Sequence, residues 1–405
     1  MKVSSQVRHF VIWGGWYGSH NVGDQVLLLT ITDILGKAFN GDVRFTVLTS
    51  DPRHVSHYTT RDSPWKIQAL HNKRHFHQIV KAISTCDLFI FGGGVPFFEQ
   101  PYHLAVMATL VGIVRAARKP YMTWAVSSQA IQSPLAKRLF RWVLNGAQAL
   151  THRDIHTYNL FQECGVNQPT YLAADSGFCL EPDSDEHAWE LIYKTGYKDN
   201  SRPLVALTPR TLHGHNKDAE THYKVKSPEQ AQREIDCYAI AVDWLWDHGF
   251  QPIFIPMNVL PPDDDRIASE LIRRSSRHGV HSLLIQDEVY PRIAPALYRQ
   301  CVFSIISRVH GSITSMIGNC PPIMYAFDLK HVGIMEAMRL SRYCILEKLA
   351  TAENTIAIIE QMISENARAR SSMAIRLTEL RKNALIPAEL ISNYFDNLKQ
   401  HLSKD

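Results

Sequence analysis

The segment Ser307-Arg308-Val309-His310-Gly311 puts a permanent cation and an imidazole two positions apart at a predicted strand-to-helix turn. A guanidinium forks onto carboxylate or phosphate oxygens. An imidazole can give or take a proton near neutral pH. The plainer reading of His310 is structural, the commoner role of a lone histidine. Arg210 closes another predicted strand in Thr208-Pro209-Arg210, and Lys330 follows the predicted strand that ends at Ala326. Cations at three strand ends are poor core material, and a polyanionic small ligand accounts for them economically. Ordinary surface ion pairs, each worth little, are the alternative.

Two glycine-rich segments could approach such a ligand through the backbone. The first is Gly14-Gly-Trp-Tyr-Gly18-Ser-His-Asn21-Val-Gly23-Asp24, between a predicted strand and a predicted helix. A helix N-terminus favours anions, but the pattern is neither G-x-G-x-x-G nor a Walker A loop. A tight turn with Asn21 or Asp24 capping the helix is the simpler reading. The second is Phe89-Ile-Phe-Gly92-Gly93-Gly94, whose backbone N–H groups could cradle a phosphate or carboxylate. Its simpler reading is a turn that needs positive φ. The acidic triplet Asp263-Asp264-Asp265 follows Pro261-Pro262 and reads as a solvated helix start rather than a metal site. H-E-x-x-H, G-x-S-x-G and clustered Cys/His ligands are absent from the sequence.

The elements that must position these residues alternate. Strands are expected at Phe10–Trp13, Val43–Leu48, Asp87–Phe91, Tyr121–Val126 and Ala149–His152, with helices after several of them, including Leu104–Ala117 and Pro134–Leu144. The pattern restarts at Pro203. Strands are expected at 203–208, 252–256, 282–285, 302–306 and 322–326, and helices at 231–248, 265–277, 294–300 and 311–318. From Thr351 the sequence reads as mostly helical. This βαβα order predicts an α/β fold with parallel sheets covered on both faces. The expected division is residues 1–180, 181–350 and a helical segment 351–405. Two such domains in tandem would form a cleft at their strand ends, where ligands of these folds bind. The stretch Thr211–Pro228, with three histidines and three lysines, is long enough to suggest a functional loop.

Composition narrows the class. The 405 residues are 45% hydrophobic and 20% charged, as in ordinary globular proteins. A net charge of +4 makes no case for nucleic-acid binding. The seven cysteines are odd in number and none are paired at C-x-x-C spacing, which favours a reducing, cytoplasmic setting over a disulfide framework. The longest apolar run, Leu104–Val114, is too short to span a bilayer and is expected as a buried helix.

Taken in order, several motifs resemble the polysaccharide pyruvyl transferase family. They are Gly18…Asn21-x-Gly23-Asp24, Gly92-Gly93-Gly94, Arg153-Asp154, Asp175-x-x-Phe178, Arg210, Arg308-x-His310-Gly311 and Tyr325…Asp328-x-Lys330. Here Arg210 follows Thr-Pro rather than the more usual Ser-x, and Val309 stands where Leu or Met is common. The resemblance implies two Rossmann-like domains arranged as in GT-B glycosyltransferases, with the active site in the interdomain cleft. It implies transfer of an enolpyruvyl group from phosphoenolpyruvate to a sugar or glycan, free or lipid-linked, with no cofactor and at most peripheral membrane contact. Arg210, Arg308 and Lys330 would hold the donor in the C-terminal domain and His310 would be the acid/base. Asn21, Asp24 and Gly92–Gly94 would bind substrate from the N-terminal domain, the acceptor side. A nucleotide-sugar glycosyltransferase and a non-catalytic glycan-binding protein are the alternatives.

Overall fold

The computed structural model describes residues 7–198, 202–210, 227–259, 263–327 and 329–402. The chain forms two compact units. The first comprises residues 1–19, 24–179 and 380–405, and the second residues 20–23 and 180–379.

The first unit holds β1 (Arg8–Trp13), β2 (Val43–Thr49), β3 (Ile67–His71), β4 (Leu88–Gly92) and β5 (Tyr121–Trp124) in one five-stranded sheet, ordered β3-β2-β1-β4-β5. Every neighbouring pair is parallel. β6 (Leu150–His152) and β7 (Thr170–Leu172) form a small parallel pair. The inner strands β1, β2 and β4 are mostly buried because helices cover both faces; all five residues of β4 are buried. One side of the core is aromatic, with Phe97 edge-on to Phe140 and Phe161 at ring-centroid distances of 5.4 and 5.8 Å.

The second unit holds β8 (Leu204–Thr208), β9 (Gln251–Phe254), β10 (Leu283–Leu284), β11 (Cys301–Ile306), β12 (Pro322–Ala326) and β13 (Cys344–Leu346). They form a six-stranded sheet ordered β10-β9-β8-β11-β12-β13, again parallel throughout. In each sheet the first strand lies in the middle and the chain order reverses beside it. The reversal falls between β1 and β4 in the first unit and between β8 and β11 in the second. Splaying loops at such a reversal leave a crevice at the carboxyl ends of the strands.

The expected α/β class with parallel sheets is the observed one. Pro134–Leu144 and Pro322–Ala326 have the expected bounds, and the apolar run from Leu104 lies in the helix Pro101–Ala116. Several elements were not anticipated. The helix Pro52–Asp62 has buried only on His54, Val55, Tyr58 and Thr59, and its polar sequence hides its period. β3 is an edge strand with only Leu70 fully buried. The helix Asp185–Lys194 begins inside a polar run, with Ser184 as its N-cap. The stretch 211–226 lies outside the described residues. Among the described residues, no helix is long and apolar enough to cross a membrane. All seven cysteines are free thiols.

The chain ends in two helices, Ala352–Ala384 and Ile386–Leu402. Within the second unit Arg370 donates to the carbonyls of Cys301 (3.0 Å) and Val302 (2.7 Å). Within the first, Arg381 donates to Phe178 O (2.9 Å), and Phe395 packs edge-on to Phe39 at 5.8 Å.

The triple glycine at the end of β4 is a packing device. Gly93 and Gly94 have φ of +52° and +69°, conformations that a side chain would strain. A Cβ at Gly92 would lie 2.6 Å from Ile12 Cγ2 and 2.7 Å from Tyr17 Oη. Tyr17 is fully buried and donates its hydroxyl to Gly92 O. Replacing Gly92 with Ala should therefore cost about 1–3 kcal/mol through overpacking, read as a lowered midpoint in chemical denaturation.

Candidate active site

Arg210 and Arg308 leave the sheet at the carboxyl ends of β8 and β11, the neighbouring strands at the reversal of the second unit. The turn after β11 is rigidly built. Ser307 is buried, its hydroxyl is 2.9 Å from Tyr238 Oη, and Tyr238 also donates to Thr208 O at 3.2 Å. Thr208 Oγ1 is 2.6 Å from Tyr298 Oη. Arg308 occupies the N-cap position of the helix Val309–Ile317 in an extended conformation, and its carbonyl accepts from Ser312 N–H at 3.1 Å. Gly311 lets this helix sit close to the strands, since a Cβ there would be 3.0 Å from Ile306 Cγ2.

Both guanidiniums are almost out of water, each residue being 5% exposed. Their counter-ions come from the acidic triplet. Arg308 Nε lies 3.1 Å from each oxygen of Asp265, and its Nη2 donates to Asp265 as well. Arg308 Nη1 donates to Asp263 Oδ2 at 3.0 Å and Nη2 to the Asp263 carbonyl at 3.0 Å. Arg210 Nη2 donates to the same Asp263 oxygen at 3.3 Å. The solvated helix start expected for this triplet is thus corrected. Asp264 does cap the helix Asp265–Ser275, accepting Arg266 N–H at 2.9 Å. Asp265, however, is 1% exposed, and it and Asp263 are the partners of the arginines. Arg210 and Arg308 are therefore neither bare nor ordinary surface pairs.

Asp265 has a second task. Its Oδ2 accepts the backbone N–H groups of Met257 (2.9 Å) and Asn258 (3.0 Å), just beyond β9. Met257 O in turn accepts Val22 N–H at 2.9 Å, and Asn21 bridges Asn258. Asn21 Oδ1 accepts Gly23 N–H at 2.9 Å, the capping role read as its simpler one. Gly23 then backs His310 closely. A Cβ on Gly23 would fall 2.3 Å from His310 Nδ1, so only glycine leaves room for this ring. His310, in the first turn of its helix, is half-buried.

Burial works against the charge of Arg308, but Asp263 and Asp265 outweigh it and raise its pKa. For Asp263 burial raises the pKa, but Arg308 and Arg210 prevail and hold the carboxyl below its usual range. Asp263 therefore stays ionised at neutral pH.

The other expected site residues fall elsewhere. Lys330 is half-buried in the first turn of the helix Leu329–Ala337; Asp328 lies outside the described residues. Phe327, beside them, has its ring centroid 5.9 Å from the Arg210 guanidinium carbon. Asp24 belongs to the first unit, is 8% exposed and accepts from Ser19 Oγ at 3.3 Å. Gly92, Gly93 and Gly94 are buried, and Gly93 N–H is spent on Trp124 O at 3.1 Å. Turn geometry and packing account for glycine at these three positions. Arg153 and Asp175 form an ion pair in the first unit, and Asp154 caps the helix Ile155–Glu163. Charge accounting could have found the partners of Arg308. Two buried arginines need carboxylates, and the triplet follows the strand next to β8.

Removing Asp265 should be severe because it strands a buried guanidinium and frees two backbone donors. Asp265→Ala is expected to cost about 3–5 kcal/mol, measured by urea denaturation. Arg277 is a control: its side chain is 71% exposed and pairs with Asp243 and Asp247, so Arg277→Ala should cost under about 1 kcal/mol.

No curated protein matches the sequence. Among solved structures, S. aureus MnaA with bound UDP is similar at a TM-score of 0.58 and 10% identity, over 96% of this chain and 97% of that one. Sucrose-phosphate synthase of Thermosynechococcus elongatus gives 0.57 and 12%, over 96% and 100%. An alpha-glucosyltransferase solved with UDP and DNA gives 0.52 and 11%, over 96% and 99%. At these identities the likeness is one of fold, the GT-B class of paired Rossmann-like units. The family model for polysaccharide pyruvyl transferases matches residues 21–328, from the Asn21 turn through the Arg308-x-His310 turn, and the chain belongs to that family.

Proposed function

We propose that this protein transfers the enolpyruvyl group of phosphoenolpyruvate to a sugar of a polysaccharide or its precursor, forming a pyruvate ketal. The observation that carries this reading is the pair Arg210 and Arg308 at the reversal of the second sheet, with His310 one short step beyond Arg308. Phosphoenolpyruvate carries a phosphate and a carboxylate on one small carbon skeleton, and two guanidiniums suit both groups. The first-turn N–H groups of the helix Val309–Ile317 add a favourable field for an anion. Lys330 is proposed as a third cation on the donor. Asn21 acts through the backbone, by shaping the turn that ends in Gly23, and Asp24 is assigned to the acceptor side.

The transfer divides into protonation, addition and ring closure. A proton is added to the methylene carbon, which becomes a methyl group, and the adjacent carbon takes on oxocarbenium character. One sugar hydroxyl attacks that carbon and loses its proton. The second hydroxyl then closes the ring as the C–O bond to phosphate breaks, and its proton leaves with the phosphate. Arg308, held by Asp265, supplies a fixed charge whose position need not reorganise during the reaction. His310 is the proposed acid for the first step, and the close contact with Gly23 fixes its ring.

Inorganic phosphate released from phosphoenolpyruvate only when acceptor is added, with a matching pyruvyl mass gain on the acceptor, is the expected assay result. Turnover of a nucleotide sugar without phosphoenolpyruvate would overturn the reading. In the same assay His310→Gln should lower kcat by about 10²–10⁴-fold with little change in donor affinity. Near-wild-type kcat would remove His310 from proton transfer. Gly23→Ala should also lower kcat, because the added methyl displaces the ring. Arg308→Lys should bind donor poorly, since an ammonium cannot fork onto two oxygens.

A further inference from the structure

We infer that Asp263 is a built-in stand-in for the donor's anionic group, a carboxylate that occupies the anion place between Arg210 and Arg308 and is displaced when phosphoenolpyruvate binds. This inference rests on the reading of the site proposed above.

The two carboxylates that meet Arg308 are built differently. Asp265 is 1% exposed and is tied by both oxygens, to Arg308 on one side and to the N–H groups of Met257 and Asn258 on the other. It cannot leave without opening the loop beyond β9. Asp263 retains 17% side-chain exposure and lies just before the helix Asp265–Ser275. A single oxygen, Oδ2, accepts from Arg308 Nη1 (3.0 Å), Arg210 Nη2 (3.3 Å) and Asn258 Nδ2 (3.4 Å). An oxygen at the meeting point of two guanidiniums and an amide is what a bound carboxylate or phosphate would supply. One oxygen of an incoming anion can take over all three bonds.

Charge supports the exchange. With Asp263 in place, the two arginines and two carboxylates sum to zero, and a polyanion gains little by approaching. When the Asp263 side chain swings away, Arg308 keeps its Asp265 fork while the two guanidiniums lose the carboxylate between them, which favours an incoming anion. Asp263 thereby keeps two buried cations compensated in the empty protein and sets a threshold that weak or singly charged anions fail to cross. After transfer, the same carboxylate can return and compete with product phosphate.

The test uses the full chain and inorganic phosphate as a probe, alongside phosphoenolpyruvate, by titration calorimetry. Asp263→Asn keeps the side-chain shape and removes the charge. Both anions should bind it about tenfold or more tightly than wild type, because a like charge no longer contests the place. Equal or weaker binding would overturn the inference and make Asp263 a spacer that merely holds the arginines apart. If the variant does not fold, the wild-type crystal structure with phosphate decides. A phosphate oxygen should stand in the place of Asp263 Oδ2, with that side chain turned away; an unmoved Asp263 bridge would overturn the inference. The outcomes separate from the fate of the proposed function. Tighter phosphate binding without turnover of phosphoenolpyruvate would retain the stand-in and reject the reaction. Ketal formation with unchanged anion affinity would do the reverse.

Discussion

Arg308 is a guanidinium withdrawn from water at the end of a buried strand, and Asp265 makes that position tolerable. An unpaired charge there would be prohibitive. The Asp265 carboxylate answers it with a fork and spends its remaining capacity on two backbone donors beyond β9. One buried side chain therefore fixes the cation just beyond β11, the loop after β9 and, through Met257 and Asn258, the short segment Asn21–Gly23. That segment ends in the glycine against which His310 rests. The arginine, the imidazole and the turn that shapes the imidazole's surroundings are consequences of a single ion pair.

The sheet explains why these residues meet. β8 and β11 are neighbours although a long stretch of chain separates them, because the order of the second sheet reverses between them. Residues that follow their carboxyl ends are brought together by topology alone. The polar groups beneath, Tyr238, Ser307, Thr208 and Tyr298, satisfy one another in a buried layer. They give the arginines a floor that does not shift. In this fold the carboxyl edge is where backbone geometry loosens and charge can be concentrated.

Much of this was legible in the residues. The apolar runs at 203–208 and 302–306 announced buried parallel strands, and placing Arg210 and Arg308 at their ends required only that alternation. The helix Pro134–Leu144 was equally plain, since Pro at its start and a strong apolar stripe mark it. What escaped was long-range pairing. Asp263 and Asp265 stand in an acidic run before a helix, where local chemistry suggests solvent, and their burial depends on arginines distant in sequence. Likewise the close packing of Gly92 against Tyr17, from another loop, has no signal in the local pattern of residues 89–94. Local pattern carried the elements, whereas partners supplied by the other strands of the sheet carried the charges.

The proposed transfer requires that the two arginines receive the donor. The most direct measurement is a crystal structure of the protein with phosphoenolpyruvate. The account predicts carboxylate or phosphate oxygens at about 2.7–3.2 Å from the Arg210 and Arg308 guanidiniums, with the Arg308–Asp265 fork intact and the methylene carbon facing His310. Phosphoenolpyruvate bound away from the ends of β8 and β11, with Asp263 still bridging the two arginines, would contradict it.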